Sequence, residues 1–205
     1  MSTSLALQCT CGLVKGAVRV RPDRPGNRLV CHCVDCQAFA NHLERADVIL
    51  DAYGGTDIYQ VSPADLVFTD GVDQIACLRL KPAGLLRWYA ACCKTPIGNT
   101  LATQGMPFVG MINMFARAAN STADLDTIQG PVQQRIYRSH ATADQSKLDA
   151  HDTMPASLIA GTLWRLLQRR LRGEHRRSPF FDESGQPIAA PHILDKGADL
   201  VVRDK

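Results

Sequence analysis

Apolar and polar residues alternate in short runs along the first two thirds of the chain. Gly16-Ala17-Val18-Arg19-Val20 and Asn27-Arg28-Leu29-Val30-Cys31 flank a turn-rich stretch from Pro22 to Gly26, so two strands are predicted there. Further strand-like runs cover 48–53, 56–61, 66–69, 75–80, 85–92 and 108–113. Gly54-Gly55, Ser62-Pro63, Asp70-Gly71 and Pro82 to Gly84 punctuate them. Residues 37–46 contain neither Gly nor Pro and predict a short helix. Up to about residue 137 the pattern is that of an antiparallel β protein.

The pattern changes after Tyr137. Residues 139–154 are polar and read as a loop. From 155 to 172, Leu158, Ile159, Leu163, Leu166, Leu167 and Leu171 recur at helical spacing. Arg165, Arg169, Arg170, Arg172, Arg176 and Arg177 crowd the second half of this helix and its exit. One reading is a helix packed on the sheet, with cations at its C-terminal end, where the helix dipole favours them. The other is a patch for nucleic acid or an acidic partner. Residues 178–205 read as an ordered wrap of loops. The expected organisation is a β domain over 1–137, with a C-terminal extension over 138–205 packed on it.

Composition narrows the classes. The 205 residues are 45% hydrophobic, enough for a real core and too many for a disordered chain. That length suits one compact domain with an added tail element. A net charge of +3 is too mild to point by itself to nucleic acid or a membrane. Aromatics at 6% argue against a base-stacking platform. The start of the chain has no basic region, and its apolar stretch, Leu5 to Leu7, is too short for a signal peptide. No run approaches the ~18 apolar residues of a membrane helix. A cytoplasmic protein is expected, in which cysteines stay reduced.

The chain has eight cysteines, and seven fall into tight clusters: Cys9 and Cys11, then Cys31, Cys33 and Cys36, then Cys92 and Cys93. Cys77 lies in an alternating apolar run and reads as a small core residue. Clustered thiolates suit zinc, which holds them tetrahedrally at ~2.3 Å. Seven are too many for one ion, so a four-ligand site and a three-ligand site are expected. Cys31, Cys33 and Cys36 can close on one ion unaided and leave a fourth position open, as a catalytic site requires. His32 and Asp35 lie between them as candidate proton carriers. Cys9 and Cys11 need a distant partner, for which Cys92-Cys93 is the candidate. Adjacent strand residues point to opposite faces, so both chelate only if the backbone bends there. An iron–sulfur cluster stays open on thiolate count, without ferredoxin spacing. No phosphate loop, dinucleotide fingerprint, nucleophile elbow or H-E-x-x-H motif is present.

Cys9-Thr10-Cys11-Gly12, the run from Cys31 to Gln37, and the run from Arg87 to Pro96 resemble, in order and spacing, the glutathione-dependent formaldehyde-activating enzyme family, whose domain is shared with centromere protein V. The resemblance covers roughly residues 5 to 115. It implies a mainly β, Mss4-like fold with two zinc ions. Cys9, Cys11 and Cys93 would hold a structural zinc, and Cys31, Cys33 and Cys36 the catalytic one. The chain departs from the family at Ala90, where the family has a cysteine, and at Lys94, where it has glycine. The structural site must then use Cys92, recruit another ligand or be missing. The implied activity is that of a zinc-dependent carbon–sulfur lyase acting on a thiol such as glutathione and a small carbonyl compound. The alternative is a non-catalytic, zinc-stabilised binding module that uses the arginine-rich helix. A thiol-based redox sensor working through Cys92 and Cys93 is a third reading. No membrane partner is expected, nucleic acid stays open only through the arginines, and a homodimer stays open.

Overall fold

The computed structural model describes residues 2–119 and 124–194. Strands β1 (Thr3–Gln8), β2 (Lys15–Val20) and β5 (Leu66–Asp70) form a three-stranded antiparallel sheet in the order β1-β2-β5. A second sheet has the order β10-β3-β4-β9-β8-β7-β6-β11. Its members are β3 (Asn27–Cys31), β4 (Thr56–Val61), β6 (Ile75–Arg79), β7 (Leu86–Ala90), β8 (Thr95–Thr100), β9 (Val109–Ile112), β10 (Gln134–Ile136) and β11 (Pro191–Ile193). Its six inner strands pair antiparallel, while β10 and β11 add in parallel to β3 and β6 at the two edges. Both edge strands arrive by long connections, so neither is bound to hairpin geometry. The protein is mainly β.

The helices are α1 (Val34–His42), α2 (Ala46–Ile49), α3 (Asn113–Ala119), α4 (Leu125–Gln129) and α5 (Ala156–Leu171). Residues 48–53 do not form the expected strand. Asp51 Oδ1 accepts hydrogen bonds from the backbone N–H of Tyr53 and Gly55, and Gly54 takes a φ of 78°, so the chain turns there. The helix expected over 37–46 begins earlier, at Val34, and α2 follows a break near Glu44, whose φ is 55°.

Alternation in β1 and β2 buries Leu5, Leu7, Val18 and Val20. They meet Trp88, Ile97, Val109 and Met111 of the larger sheet in one core. Trp88 lies fully buried and donates its indole N–H to Thr100 Oγ1 at 2.9 Å. Phe180 and Phe181 join this core, with ring centroids 5.0 and 6.4 Å from Trp88. The tail thus contributes core side chains and β11, and the part of the expected wrap beyond residue 194 lies outside the described residues. The predicted C-terminal helix forms, but of its leucines only Leu158 and Leu166 are buried. Among the described residues no helix is long and apolar enough to cross a membrane.

Candidate metal centres

The first cluster joins two turns from distant parts of the chain. After β1 the backbone folds back: Cys9 N–H donates to Val14 O, Gly12 N–H donates to Cys9 O, and Gly12 takes a φ of 82° that suits glycine. Cys9 Sγ also accepts the backbone N–H of Val14 at 3.2 Å. The opposing turn lies between β7 and β8. Strand β7 ends at Ala90 and β8 begins at Thr95, so Cys92 and Cys93 occupy the turn itself. This removes the opposite-faces objection to Cys92.

All four sulfurs lie within 4.8 Å of one another. Cys9 Sγ is 3.5 Å from Cys11 Sγ and 3.9 Å from Cys92 Sγ. Cys11 and Cys92 are 3.3 Å apart, and Cys92 and Cys93 3.8 Å. Four sulfurs at ~2.3 Å around a tetrahedral ion lie about 3.8 Å apart, so the set fits such an ion. Burial raises the Cys93 thiol, but Thr10, Thr95 and the backbone N–H groups of Cys11 and Thr95 outweigh it and bring the thiol down to about 5. Thr95 Oγ1 sits 3.1 Å from Cys93 Sγ and 3.0 Å from Thr10 Oγ1. Burial and the neighbouring thiols push Cys9 and Cys92 up.

The second cluster is local. Cys31 closes β3, Cys33 precedes α1, and Cys36 lies in its first turn. Cys33 O accepts the backbone N–H groups of both Cys36 and Gln37, which folds the loop into the helix. A helix N-terminus favours thiolate. The three sulfurs lie within 4.8 Å of one another. Leu29, Ile58, Ile136 and Leu158 wall the buried pair Cys31 and Cys36, while Cys33, Tyr137 and Met154 are only partly buried. Hydrogen bonds shared among the thiols push Cys31 up and pull Cys36 well down, with Arg87 adding its charge on Cys36. Cys33 is lowered by its bond to Cys31 but raised by Cys36 and burial, and ends pushed up to about 11.

Arg87 has no role assigned from the sequence. Its side chain is 3% exposed, lies over the Phe39 ring at 5.4 Å, and donates to Asn99 Oδ1 at 3.4 Å. Among the described residues no carboxylate forms an ion pair with it. A divalent ion on three thiolates carries net charge −1, which a buried arginine neutralises. The available signal was a charged residue inside an otherwise apolar strand. Gln37, equally overlooked, donates to the carbonyls of His32 and His140 at 2.7 and 2.8 Å and pins the cysteine loop.

Of the two proton-carrier candidates, one is buried with a ring nitrogen that has no hydrogen-bond partner among the described residues, and the other is held in an ion pair. His32 is fully buried, with Nδ1 3.1 Å from Ile136 O and Nε2 3.8 Å from Asp51 Oδ1. Asp35 pairs with Lys81 at 3.0 Å. Tyr137 packs beside the cluster, partly buried. Its φ is 64°, its ring stacks on His140, and burial with the nearby cysteines raises its hydroxyl pKa. Cys77 is a core residue of β6, pushed up to about 12 by burial.

Fold and site together define a mainly β protein with two cysteine clusters able to hold metal ions, compatible with zinc sites. The chain belongs to a family of unknown function, DUF6151, whose model matches residues 1–192. No curated protein matches it.

Proposed function

We propose that the protein is a zinc-dependent enzyme that joins or cleaves a carbon–sulfur bond between a small thiol, such as glutathione, and a small carbonyl compound. The observation that carries this reading is the unequal pair of clusters. Cys9, Cys11, Cys92 and Cys93 bring together four thiols, enough to close a tetrahedral ion, whereas Cys31, Cys33 and Cys36 stop one ligand short beside a buried cation. A closed site is structural, and an open one admits substrate. The spacing resemblance to the glutathione-dependent formaldehyde-activating enzymes, with their Mss4-like fold, supports the same reading.

Zinc at the open site would supply a fourth position for the substrate thiol and lower its pKa. Cys31, Cys33 and Cys36 would hold the ion, and Arg87 would balance its charge from the buried side. The apolar walls from Leu29, Ile58, Ile136 and Leu158 exclude water. In the addition direction the thiol loses its proton, sulfur bonds to the carbonyl carbon, and the carbonyl oxygen takes a proton. Tyr137 Oη is the proton donor this reading places there. The reverse step returns each group, and no electrons are exchanged with an outside oxidant.

The binding-module reading keeps one observation in its favour: Leu163, Trp164, Leu167 and Leu171 are exposed on α5. One experiment separates the two. Metal content is measured by mass spectrometry on wild type, Cys33→Ser and Cys93→Ser, followed by thiol–aldehyde exchange by NMR. Two zinc ions per chain are expected, with one lost in each variant and exchange lost in Cys33→Ser. Retention of full exchange in Cys33→Ser, or its absence in the fully loaded wild type, overturns the enzyme reading.

A further inference from the structure

A second region gathers charge far from the cysteines. A cavity of about 240 Å³ lies between α5 and the β2–β4 side of the body, lined among others by Arg19, Arg165, Arg169, Arg172, Tyr59 and Glu174. Tyr59 and Val61 stand towards the far end of β4 from Thr56, the partner of Cys31. At ~3.3 Å per residue, Val61 is about 17 Å along the strand from that end. Arg19 pairs with Ser4, at the end of β1 away from Cys9, so the cavity is separate from both candidate metal centres.

Its charges do not cancel. The lining carries six arginines against three carboxylates, and every carboxylate is already engaged. Asp65 holds Arg21 at 2.6 Å, and Asp23 holds Arg24 at 3.3 Å. Glu174 accepts from Arg24 at 3.1 Å and from Ser62 Oγ at 2.6 Å. Arg169 is buried and spends one amino group on Val61 O, at 2.9 Å. Arg19, Arg165 and Arg172 are left with no carboxylate or hydrogen-bond partner among the described residues. Arg165 is only partly exposed, and burial without an anion lowers its pKa. A half-buried, unpaired guanidinium is unfavourable in the empty cavity and becomes favourable once an anion enters.

We infer that this cavity binds a small phosphate-bearing anion. Three unpaired guanidiniums from β2 and α5 offer fork-shaped donors at a concave surface, which match the three acceptor oxygens and double charge of a phosphate group. The volume admits phosphate with a short body and falls below the ~300–1,000 Å³ of pockets that enclose larger ligands. The arginines crowding the end of α5 divide accordingly. Arg165, Arg169 and Arg172 face the cavity, while the apolar stripe of Leu163, Leu167 and Leu171 lies on another face.

The test is calorimetric titration of the full-length protein, as purified and at constant ionic strength, with sodium phosphate and separately with glycerol 3-phosphate. Saturable binding at one site is expected. Arg165→Gln and Arg172→Gln should each weaken it about tenfold. Arg177→Gln removes the same charge outside the cavity and should change affinity less than about twofold. In phosphate-free buffer Arg165→Gln should melt no lower than wild type, because an unpaired charge has been removed from a half-buried position. That melt also shows that lost binding is not lost folding. Tighter binding of glycerol 3-phosphate identifies a phosphomonoester as the ligand, and equal affinity identifies phosphate itself. Equal losses in Arg165→Gln and Arg177→Gln overturn the inference. So does an oligonucleotide that binds with steep salt dependence while neither phosphate compound saturates.

Discussion

Lys94 carries a φ of 56° in the turn that presents Cys92 and Cys93, a conformation that disfavours any residue with a Cβ. Its amino group lies 2.6 Å from Glu44, whose own φ is 55°, in an exposed ion pair that contributes little. Lys94→Gly is therefore expected to raise stability by about 1 kcal/mol, read from the urea midpoint. An unchanged or lower midpoint would show that the ion pair outweighs the backbone strain. The cysteines were legible at this scale because their spacing is a local property. The bend that lets Cys92 join the cluster was not, because alternation along a strand says nothing of where the strand stops. The role of Arg87 was hidden too, since its partners Cys36, Phe39 and Asn99 come from other elements.

At the scale of elements, one polar network ties four of them together. Arg28 of β3 meets Asp57 of β4 through two bonds of 3.0 and 2.9 Å. Asn113 and Arg117 of α3 add bonds of 2.8 and 3.0 Å to Asp57, and Asp126 of α4 accepts from Arg28. Burial raises Asp57, but these donors prevail and hold it below the usual carboxylate range. Its folded pKa is thus lower than its unfolded one. The stability it contributes is whole above the unfolded value of ~3.9 and fades as pH falls through the folded value. Asp57→Asn should cost about 3 kcal/mol at neutral pH and flatten the loss of stability below about pH 4, as measured by urea melts across pH. An acid limb as steep as that of wild type would remove Asp57 from the account. Strand β8 went unread for a related reason. Thr95-Pro96-Ile97-Gly98-Asn99-Thr100 carries a Pro and a Gly and no apolar alternation, yet every residue is buried. It runs between β7 and β9, where Thr95 and Thr100 find partners in Thr10 and Trp88, and Pro96 sits opposite the irregularity at Trp88/Tyr89.

At the scale of the molecule, residues late in the chain complete a core built by early ones. Phe180 is fully buried, and its ring centroid lies 5.0 Å from Trp88 and 5.3 Å from Phe68. Phe180→Ala should cost about 3–5 kcal/mol in chemical denaturation, whereas a side chain merely resting on the surface would cost under about 1 kcal/mol. The sequence by itself determined what depends on short range. Period-two alternation specifies strands, leucine spacing specifies α5, and cysteine spacing brings Cys31, Cys33 and Cys36 together, because each is set by backbone geometry over a few residues. Only the tertiary structure decided which turns meet. It joined Cys9 and Cys11 to Cys92 and Cys93, set Arg87 behind Cys36, and brought Arg19 to Arg165 and Arg172 around one cavity. Those pairings follow from how two sheets close on a shared core, and no local pattern encodes the distance between residues far apart in the chain.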